Sequence, residues 1–400
     1  MKTNRLLGMM TAAALLTTVC SAVLPVRFTE DFAITAYAAE EGNYTYVVNP
    51  DGGSVTIKSF LDNSSSLTDI VIPSTLGGLP VTAVGEPDQF IGVFSRNSKL
   101  THVVVPEGVQ SIGRSAFKGC YALTGISLPQ TLKTIGATAF DGCSALSDIT
   151  LPEGLNEIGM SAFSRCESLT EITLPASLTS IGSETFVNCT ALKSVTFLSG
   201  VTVLEMTTFA GCSKLTDVKL PDCMTTIKDM AFDHCGMTEI TLPANLTSIG
   251  TYAFANCDKL KSIVFPDGMQ SIGKDAFQFC TNLASVTIPE SVTEILDTPF
   301  FYCSRKLIIY GYAGSYAETY AKNHSISFQA LQKQVDGDLD GDGTFAAADS
   351  VLLARYLAED STLEAAAAQA ITLETADLDK DGLLTVLDIR TLLVLMTVLE

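Results

Sequence analysis

Residues 123–143 read LTGISLPQTLKTIGATAFDGC, and residues 146–166 repeat the pattern as LSDITLPEGLNEIGMSAFSRC. Nine cysteines between Cys120 and Cys303 mark the ends of such units, at intervals of 23 residues with a single interval of 22. A phenylalanine stands three residues before each of these cysteines. A fixed period of this length indicates one structural unit per repeat.

Each unit begins with a stretch, Leu-x-x-Ile-x-Leu, that predicts a short β-strand. Apolar and polar residues alternate there, so Leu146, Ile149 and Leu151 are expected to face a core while Asp148 and Thr150 face water. The proline that follows removes a backbone donor and ends the strand. Because so short a unit cannot bury its apolar side alone, successive units must stack into a solenoid.

The pattern resembles the leucine-rich repeat proteins of the BspA-like class over residues 67–310. The resemblance implies a β-rich α/β solenoid with atypical units at both ends. The first unit has an insertion before Phe94 and has Asn97 in place of cysteine, and residues 311–315 are typical of a closing segment. Met237 takes the leucine position of the one shortened unit. Three further departures from the repeat, at its proline and glycine positions, indicate local irregularity: Leu198, Glu205 and Lys228.

The nine periodic cysteines have two interpretations. Stacked units would place neighbouring cysteines about one strand spacing apart, roughly 4.8 Å, which distance alone would allow for a disulfide. Equivalent side chains point in parallel into the core, however, and nine is an odd number. We therefore favour a column of small buried apolar residues with a weak S–H donor.

The solvent-facing strand positions form two rows that are candidates for recognition. Asp148 and Glu171 in the first row could approach the roughly 5–5.5 Å separation of the carboxylates in retaining glycosidases. Nothing in the sequence walls a pocket around them, so protein recognition on an extended face is the preferred interpretation. The first row is His102, Gly125, Asp148, Glu171, Ser194, Asp217, Glu239, Ser262 and Ser285. The second row is Val104, Ser127, Thr150, Thr173, Thr196, Lys219, Thr241, Val264 and Thr287.

Composition and charge exclude several classes of protein. The chain has a formal net charge of -20, which disfavours nucleic acid and anionic lipid as partners. It contains no Trp, which weakens the case for a sugar-stacking enzyme. No serine-hydrolase, zinc-protease or phosphate-loop motif occurs, so we expect no catalytic site.

The N-terminal segment is typical of an export signal. Lys2 and Arg5 precede an uncharged stretch over residues 6–24, and Ala36-Tyr37-Ala38 suits signal peptidase. The mature chain is then expected to begin near Ala39 and to be secreted, with no membrane insertion after cleavage. The alternative is an uncleaved membrane anchor, because 19 uncharged residues could just span a bilayer.

The acidic C-terminal segment carries the same twelve-residue pattern twice. Residues 336–400 hold 14 Asp+Glu and 3 Lys+Arg, which is -11 of the net -20. Carboxylates at loop positions 1, 3, 5 and 12 suit a hard cation, glycine at position 6 allows the sharp turn, and position 7 contributes its carbonyl. The pattern predicts two Ca²⁺ ions. The first would be held by Asp338, Asp340, Asp342, Thr344 and Asp349, and the second by Asp377, Asp379, Asp381, Leu383 and Asp388.

Two such loops, each followed by an apolar helix, resemble the type I dockerin domain. The resemblance implies a small all-α calcium-binding domain that binds a cohesin module of a scaffoldin, in a cellulosome-like complex. The family's partner-reading positions fall on Ala347, Ala348, Ala354 and Arg355 in the first copy, and on Val386, Leu387, Leu393 and Val394 in the second. Because the two sets differ, we expect one dominant binding face. Alternatively, the apolar second set packs against the first helix.

Together these features predict a signal peptide (residues 1–38), a repeat solenoid with caps (40–330), a linker (331–337) and a dockerin (338–400). We expect a secreted, non-catalytic protein. Its solenoid would recognise a macromolecule, and its dockerin would attach it to a cohesin. The alternative is an enzyme or carbohydrate-binding component of plant polysaccharide degradation.

Overall fold

The computed structural model describes residues 39–61, 67–88, 91–198, 200–331, 351–354 and 357. It is a β-solenoid of about 12 turns, and this confirms the predicted fold. Each turn of the solenoid has three sides, of which two carry short parallel strands and the third is built from turns.

An N-terminal cap precedes the regular array. Strands β1 (Ala39–Glu41), β2 (Tyr44–Val48) and β3 (Val55–Phe60) are antiparallel, and β3 then pairs in parallel with β6 (Leu79–Val84). The short β5 (Thr75–Leu76) folds back on β6. The cap therefore converts a hairpin edge into the parallel register of the repeats.

The first strand side is formed by the Leu-x-x-Ile-x-Leu stretches. Its members are β4 (Asp69–Val71), β7 (His102–Val104), β9 (Gly125–Ser127), β12 (Glu171–Leu174), β14 (Ser194–Phe197), β16 (Asp217–Lys219), β19 (Ser262–Val264), β21 (Ser285–Thr287), β23 (Ile308–Tyr312) and β24 (Ser327–Leu331). Residues 148–150 and 239–241 have the repeat pattern but no strand pairing, so this side consists of three sheets. Ile149 and Leu151 are nevertheless buried and Asp148 is exposed, as the alternation predicts.

The second strand side is formed by the Leu-x-x-Ile-Gly stretches. After β6 come β8 (Ser111–Ile112), β10 (Thr134–Ile135), β11 (Glu157–Ile158), β13 (Ser180–Ile181), β15 (Val203–Leu204), β17 (Thr226–Ile227), β18 (Ser248–Ile249), β20 (Ser271–Ile272) and β22 (Glu294–Ile295). Glycine follows most of these strands because adjacent backbones approach closely: a Cβ on Gly159 would lie 2.5 Å from the Ala137 nitrogen. The sheet breaks between β13 and β15, where Glu205 replaces that glycine.

The third side uses turns whose backbones are hydrogen-bonded from one unit to the next. Ser115 and Gly119 have positive φ angles of 56° and 71°, and both positions recur in later units. The Ser115, Phe117 and Gly119 N–H groups donate to carbonyls of the following unit at 3.0, 2.8 and 2.7 Å. These turns therefore satisfy their polar groups without forming a helix.

The interior contains two continuous columns, one of phenylalanines and one of cysteines. Neighbouring rings from Phe94 to Phe300 are stacked at centroid distances between 5.1 and 5.7 Å. Each of the nine periodic thiols, from Cys120 to Cys303, donates to the carbonyl of the phenylalanine 25 or 26 residues earlier, at 3.1–3.4 Å. The described cysteines are free thiols, which confirms a column of apolar residues with weak donors.

Burial perturbs the ionisation of these thiols. It raises the pKa of Cys120, Cys189, Cys257 and Cys303 to about 12. The pKa values of the other five thiols in the column are also raised, with burial as the main cause. These thiols are therefore protonated and structural, rather than nucleophilic, at neutral pH.

The C-terminal cap closes the core with a helix and an added strand. Helix α1 (Tyr316–Asn323) begins after Ser315, whose hydroxyl accepts the Glu318 N–H, and it buries Ala317, Tyr320 and Ala321. Strand β24 then pairs in parallel with β23. Within residues 39–331 as described, α1 is the one helix, so the array is β-rich as predicted.

Candidate functional site

The solvent-facing rows of the first strand side form the first candidate surface. As the sequence predicts, their side chains are exposed or half-buried in every unit. Carboxylates and hydroxyls dominate, and apolar members such as Val104 and Val264 are isolated from one another along the second row. The arrangement offers a long polar surface with hydrogen-bonding groups at the strand spacing, which suits recognition of an extended partner.

At the N-terminal end of this surface, His102 has polar contacts on both ring nitrogens. Its Nδ1 lies 3.1 Å from Asp69 Oδ1, and its Nε2 lies 3.3 Å from Thr124 Oγ1. The three residues belong to successive units, so the contacts follow the stacking of the repeat. Because His102 and Asp69 are mostly exposed, this cluster is a feature of the surface and not a buried catalytic pair.

Further along the same surface, Asp148 and Glu171 line one shallow cleft together with Thr150, Thr173 and Ser194. The structure thus brings together the two carboxylates that the sequence places in adjacent units. Both are exposed, whereas the acid of a glycosidase pair keeps its proton in a dry apolar setting. The cleft can bind hydroxyl-rich or cationic groups. It lacks the apolar environment that would keep one of the two carboxyl groups protonated as an acid while the other serves as a base.

A second candidate surface, missed by the sequence reasoning, is an aromatic cluster at the C-terminal end of the turn side. Phe279, Phe301 and Tyr302 are 41%, 43% and 60% exposed. The Phe279 and Tyr302 rings are stacked at 5.0 Å with an interplanar angle of 6°, and the Phe301 and Tyr302 centroids are 4.0 Å apart. Exposed clustered aromatics are typical of binding surfaces.

The sequence did contain a signal for this cluster. Phe279 and Tyr302 stand two residues after the core phenylalanine, where earlier units have small or polar residues such as Gly142, Asn188 and Asn256. An alignment of the units against one another would have marked both positions. The strand rows themselves contain no aromatic residue and give no such signal.

The predicted calcium ligands lie outside the described residues. This applies to both loops: Asp338, Asp340, Asp342, Thr344 and Asp349, and Asp377, Asp379, Asp381, Leu383 and Asp388. Their chemistry fits the ion, because carboxylate and carbonyl oxygens are the ligands that Ca²⁺ prefers. In the part of the chain that the structure describes, no group of three or more His, Cys, Asp or Glu side chains could hold a metal.

Of the predicted cohesin-contacting residues, the structure describes Ala354. It lies in a helical segment, residues 351–354, where Leu353 is buried and Ala354 is exposed. The others are outside the described residues: Ala347, Ala348, Arg355, Val386, Leu387, Leu393 and Val394. The N-terminal segment that resembles a signal peptide is outside them as well. No helix among the described residues is long and apolar enough to cross a membrane.

Comparisons with solved structures find similar repeat proteins. A solved leucine-rich repeat protein from Bacteroides ovatus is similar, at 29% identity over 74% of this chain and 77% of that chain, with a TM-score of 0.63. A leucine-rich repeat protein from T. pallidum is 32% identical over 55% of this chain and 88% of that chain, with a TM-score of 0.44. No curated protein matches the chain.

Two family models match, and together they cover both parts of the chain. The model of the BspA type leucine-rich repeat region matches residues 91–216 and 202–325, in six copies, which is more than half of the chain. The model of the dockerin type I domain matches residues 336–393. The chain therefore belongs to the BspA-type leucine-rich repeat family and carries a C-terminal type I dockerin domain.

Proposed function

We propose that this protein is a secreted, non-catalytic subunit that its dockerin attaches to a cohesin, while its solenoid recognises a protein or a cell surface. One observation carries the proposal: a recognition-type repeat array and a dockerin share one chain. The repeat match ends at residue 325 and the dockerin match begins at residue 336, so few residues separate the two modules.

The repeat domain supports a binding role because its surface is polar, extended and varied while its core is repetitive. The first strand side presents carboxylates and hydroxyls over successive units, and the turn side ends in the aromatic cluster. Neither surface requires a deep cavity. Both are suited to contact over a large area, which is how solenoids bind partners.

Calcium would serve the dockerin by holding each loop in the shape that its following helix needs. The five ligands predicted in each loop would surround one ion with oxygen atoms. Calorimetric titration of the calcium-free chain with Ca²⁺ should give two sites. Substituting Asp349→Ala should remove the first site and Asp388→Ala the second, each independently of any partner.

The docking proposal is tested with the full chain and a panel of purified cohesin modules. Binding is expected in Ca²⁺, lost in excess chelator and restored when Ca²⁺ is returned. Complex formation that persists in chelator would contradict the mechanism, and so would failure of every cohesin to bind the calcium-loaded chain.

The proposal of one dominant face is tested by charging each set of contact positions separately. Ala347→Asp with Ala348→Asp alters the first set, and Val386→Asp with Leu387→Asp alters the second. One pair is expected to lower cohesin affinity at least tenfold more than the other. Equal losses would contradict a single face, provided that both variants still bind two Ca²⁺ ions.

An enzyme acting directly on plant polysaccharide is the second candidate, because Asp148 and Glu171 share a cleft. Asp148→Ala and Glu171→Ala should each abolish hydrolysis if this pair is catalytic. Thr196→Ala, in the same cleft, serves as the control. Absence of hydrolysis in the unmodified chain, or activity that survives both carboxylate substitutions, would remove this candidate.

A further inference from the structure

A cationic cleft lies on the turn side of the solenoid, away from the strand rows. It has a volume of about 290 Å³, which is near the lower end of the roughly 300–1,000 Å³ typical of small-molecule sites. Arg96, Lys118 and Arg165 line it, from the first units of the array. Three cations at one place are unexpected in a chain whose net charge is -20.

Buried Asp141 fixes two of these cations. Its side chain is 5% exposed, its Oδ1 accepts from Arg165 at 2.7 Å, and its Oδ2 lies 3.1 Å from Lys118 Nζ. The Arg165 and Lys118 side chains are themselves 56% and 42% exposed, so they still face the cleft. Asp141 therefore holds Lys118 and Arg165 in position, and both side chains keep N–H groups that can bind a ligand.

Arg96 completes the cationic group without a partner of its own. No ion pair or side-chain hydrogen bond of its guanidinium exists among the described residues. Glu167 also lines the cleft, so three positive charges face two negative ones. The local excess of one positive charge suits a ligand with a single negative charge.

At the base of the cleft, two successive turns have glycine at the same position, and the Tyr121 side chain packs over both. Gly119 and Gly142 both have positive φ, and a Cβ built on Gly119 would lie 3.6 Å from both Arg96 Cγ and the Tyr121 hydroxyl. A Cβ on Gly142 would lie 3.7 Å from Tyr121 Cε1. The glycines thus make room for the Tyr121 ring, which is still 59% exposed and can contact a ligand in the cleft.

These features define the chemistry of the occupant. A carboxylate would pair with Arg96 and the outward-facing donors of Arg165, as guanidinium groups pair with planar anions. A saturated ring carrying that carboxylate would place its C–H groups against Tyr121. Its hydroxyls would find acceptors in Glu167 and Ser144.

We propose that the cleft of Arg96, Lys118, Tyr121, Asp141, Gly142 and Arg165 binds a carboxylate-bearing sugar unit of an acidic polysaccharide. This site deepens the proposed recognition role of the solenoid and rests on it. It is independent of cohesin docking, because every residue involved belongs to the repeat array. The absence of Trp therefore does not exclude sugar binding, since Tyr121 supplies an aromatic surface.

The test is calorimetric titration of the full chain with trigalacturonate, without added calcium, and with its methyl-esterified form as the neutral probe. The acidic probe should bind at least about tenfold more tightly than the ester, and added salt should weaken it. Arg96→Gln should lower affinity about tenfold because it removes one charge-assisted contact. Arg305→Gln makes the same change of charge on an exposed arginine at the other end of the array and should have no effect.

A second variant fills the cleft without changing its charge. Gly142→Asn should abolish trigalacturonate binding, yet it should fold, because Asn188 and Asn256 occupy the same left-handed position in later units. Gly211→Asn, at the same position three units later, is its control, and there the Asn188 side chain must move aside. Equal binding of acid and ester, equal affinities of the Arg96→Gln and Arg305→Gln variants, or tighter binding of poly-glutamate than of trigalacturonate would each overturn the proposal. Loss of trigalacturonate binding with cohesin binding intact would leave the docking mechanism standing.

Discussion

Two columns of residues run along the solenoid, and they differ in how constant the residue type is. The first is the core phenylalanine column; the second, the turn column, lies two residues further along the chain in each unit. The first is phenylalanine in every unit from Phe94 to Phe300, and its rings stack at a near-constant distance. The second changes from unit to unit. Its members are Arg96, Gly119, Gly142, Arg165, Asn188, Gly211, His234, Asn256, Phe279 and Tyr302.

Both columns lie in the same turns, so the comparison shows which positions serve stability and which are available for recognition. A side chain in the core column must fit between identical neighbours above and below. The turn column requires only that its residue adopt a positive φ and then projects outward, so any side chain that tolerates this backbone can be presented. The cationic cleft and the aromatic cluster are the two places where this freedom produces a chemically distinct surface.

The largest expected effect on stability comes from ionising the cysteine thiols of the core, which leaves the turn column unaltered. Burial raises the pKa of all nine column thiols, so the neutral thiols stabilise the fold below the unfolded pKa of about 8.5. That stability is lost as the pH rises above this value toward the folded pKa. Each thiol contributes about 1.4 kcal/mol per pH unit, and nine together on the order of 10 kcal/mol.

The repeat domain should therefore unfold cooperatively within about one to two pH units above 9. Circular dichroism and thiolate absorbance, followed together during a pH titration, should change in a single transition. Cys189→Ala with Cys212→Ala should reduce the number of protons released on unfolding by two. The titration uses a Cys223→Ala chain, because Cys223 is a partly exposed cysteine outside the column. Thiolates that appear there below pH 9 while the circular dichroism stays native would show that the column is accessible to water.

The next largest effect is expected on the free energy of unfolding, when the two columns are substituted in the same turn. Phe186 is fully buried between Phe163 and Phe209, at centroid distances of 5.5 and 5.4 Å. Phe186→Ala should lower the free energy of unfolding by about 3–5 kcal/mol. Asn188→Gly, two residues later, keeps the positive φ and should change it by less than about 1 kcal/mol. Equal losses in urea unfolding would contradict the division between the columns.

The sequence predicts the fold well because the repeat is governed by packing. Alternation of apolar residues specifies which side chains of residues 146–151 are buried, and the period of 23 requires stacking. The cysteine column follows from the same logic, and its thiol donors to the phenylalanine carbonyls are the detail that the structure adds. The sequence also identifies the dockerin, which the family model matches over residues 336–393.

The sequence predicts the two exposed strand rows but not the surfaces of the turn side, because those depend on which turns lie side by side. Tyr121, Arg96 and Arg165 belong to three different units, and only stacking brings them around the two glycines. The interruptions of the first strand side, at residues 148–150 and 239–241, were also not predicted. At the first of these interruptions, Asp148 and Glu171 expose carboxylates on neighbouring units, and like charges disfavour strand pairing.

A smaller effect is expected at the glycine that follows the second strand of each unit. Gly159→Ala would place its Cβ 2.5 Å from the Ala137 nitrogen, so the two backbones must separate. The free energy of unfolding should fall by about 1–3 kcal/mol, as for other overpacked sites. Glu205→Gly, at the equivalent position where the sheet is already broken, should change it by less than about 1 kcal/mol. Chemical denaturation of both variants checks this, and a larger loss for Glu205→Gly would contradict the role assigned to the glycine.

The smallest effect concerns the one place where two consecutive glycine positions carry charges. Lys228 Nζ lies 2.8 Å from Glu205 Oε1, with the lysine side chain 45% exposed. Because water screens such a pair, Lys228→Met should cost no more than about 1 kcal/mol, and the cost should shrink in high salt. Lys214→Met, an exposed lysine with no partner among the described residues, is the control. A loss of unfolding free energy for Lys228→Met as large as that for Gly159→Ala, and independent of salt, would contradict this expectation. The Glu205–Lys228 pair would then belong to the packed interior of this unit and not to its variable surface.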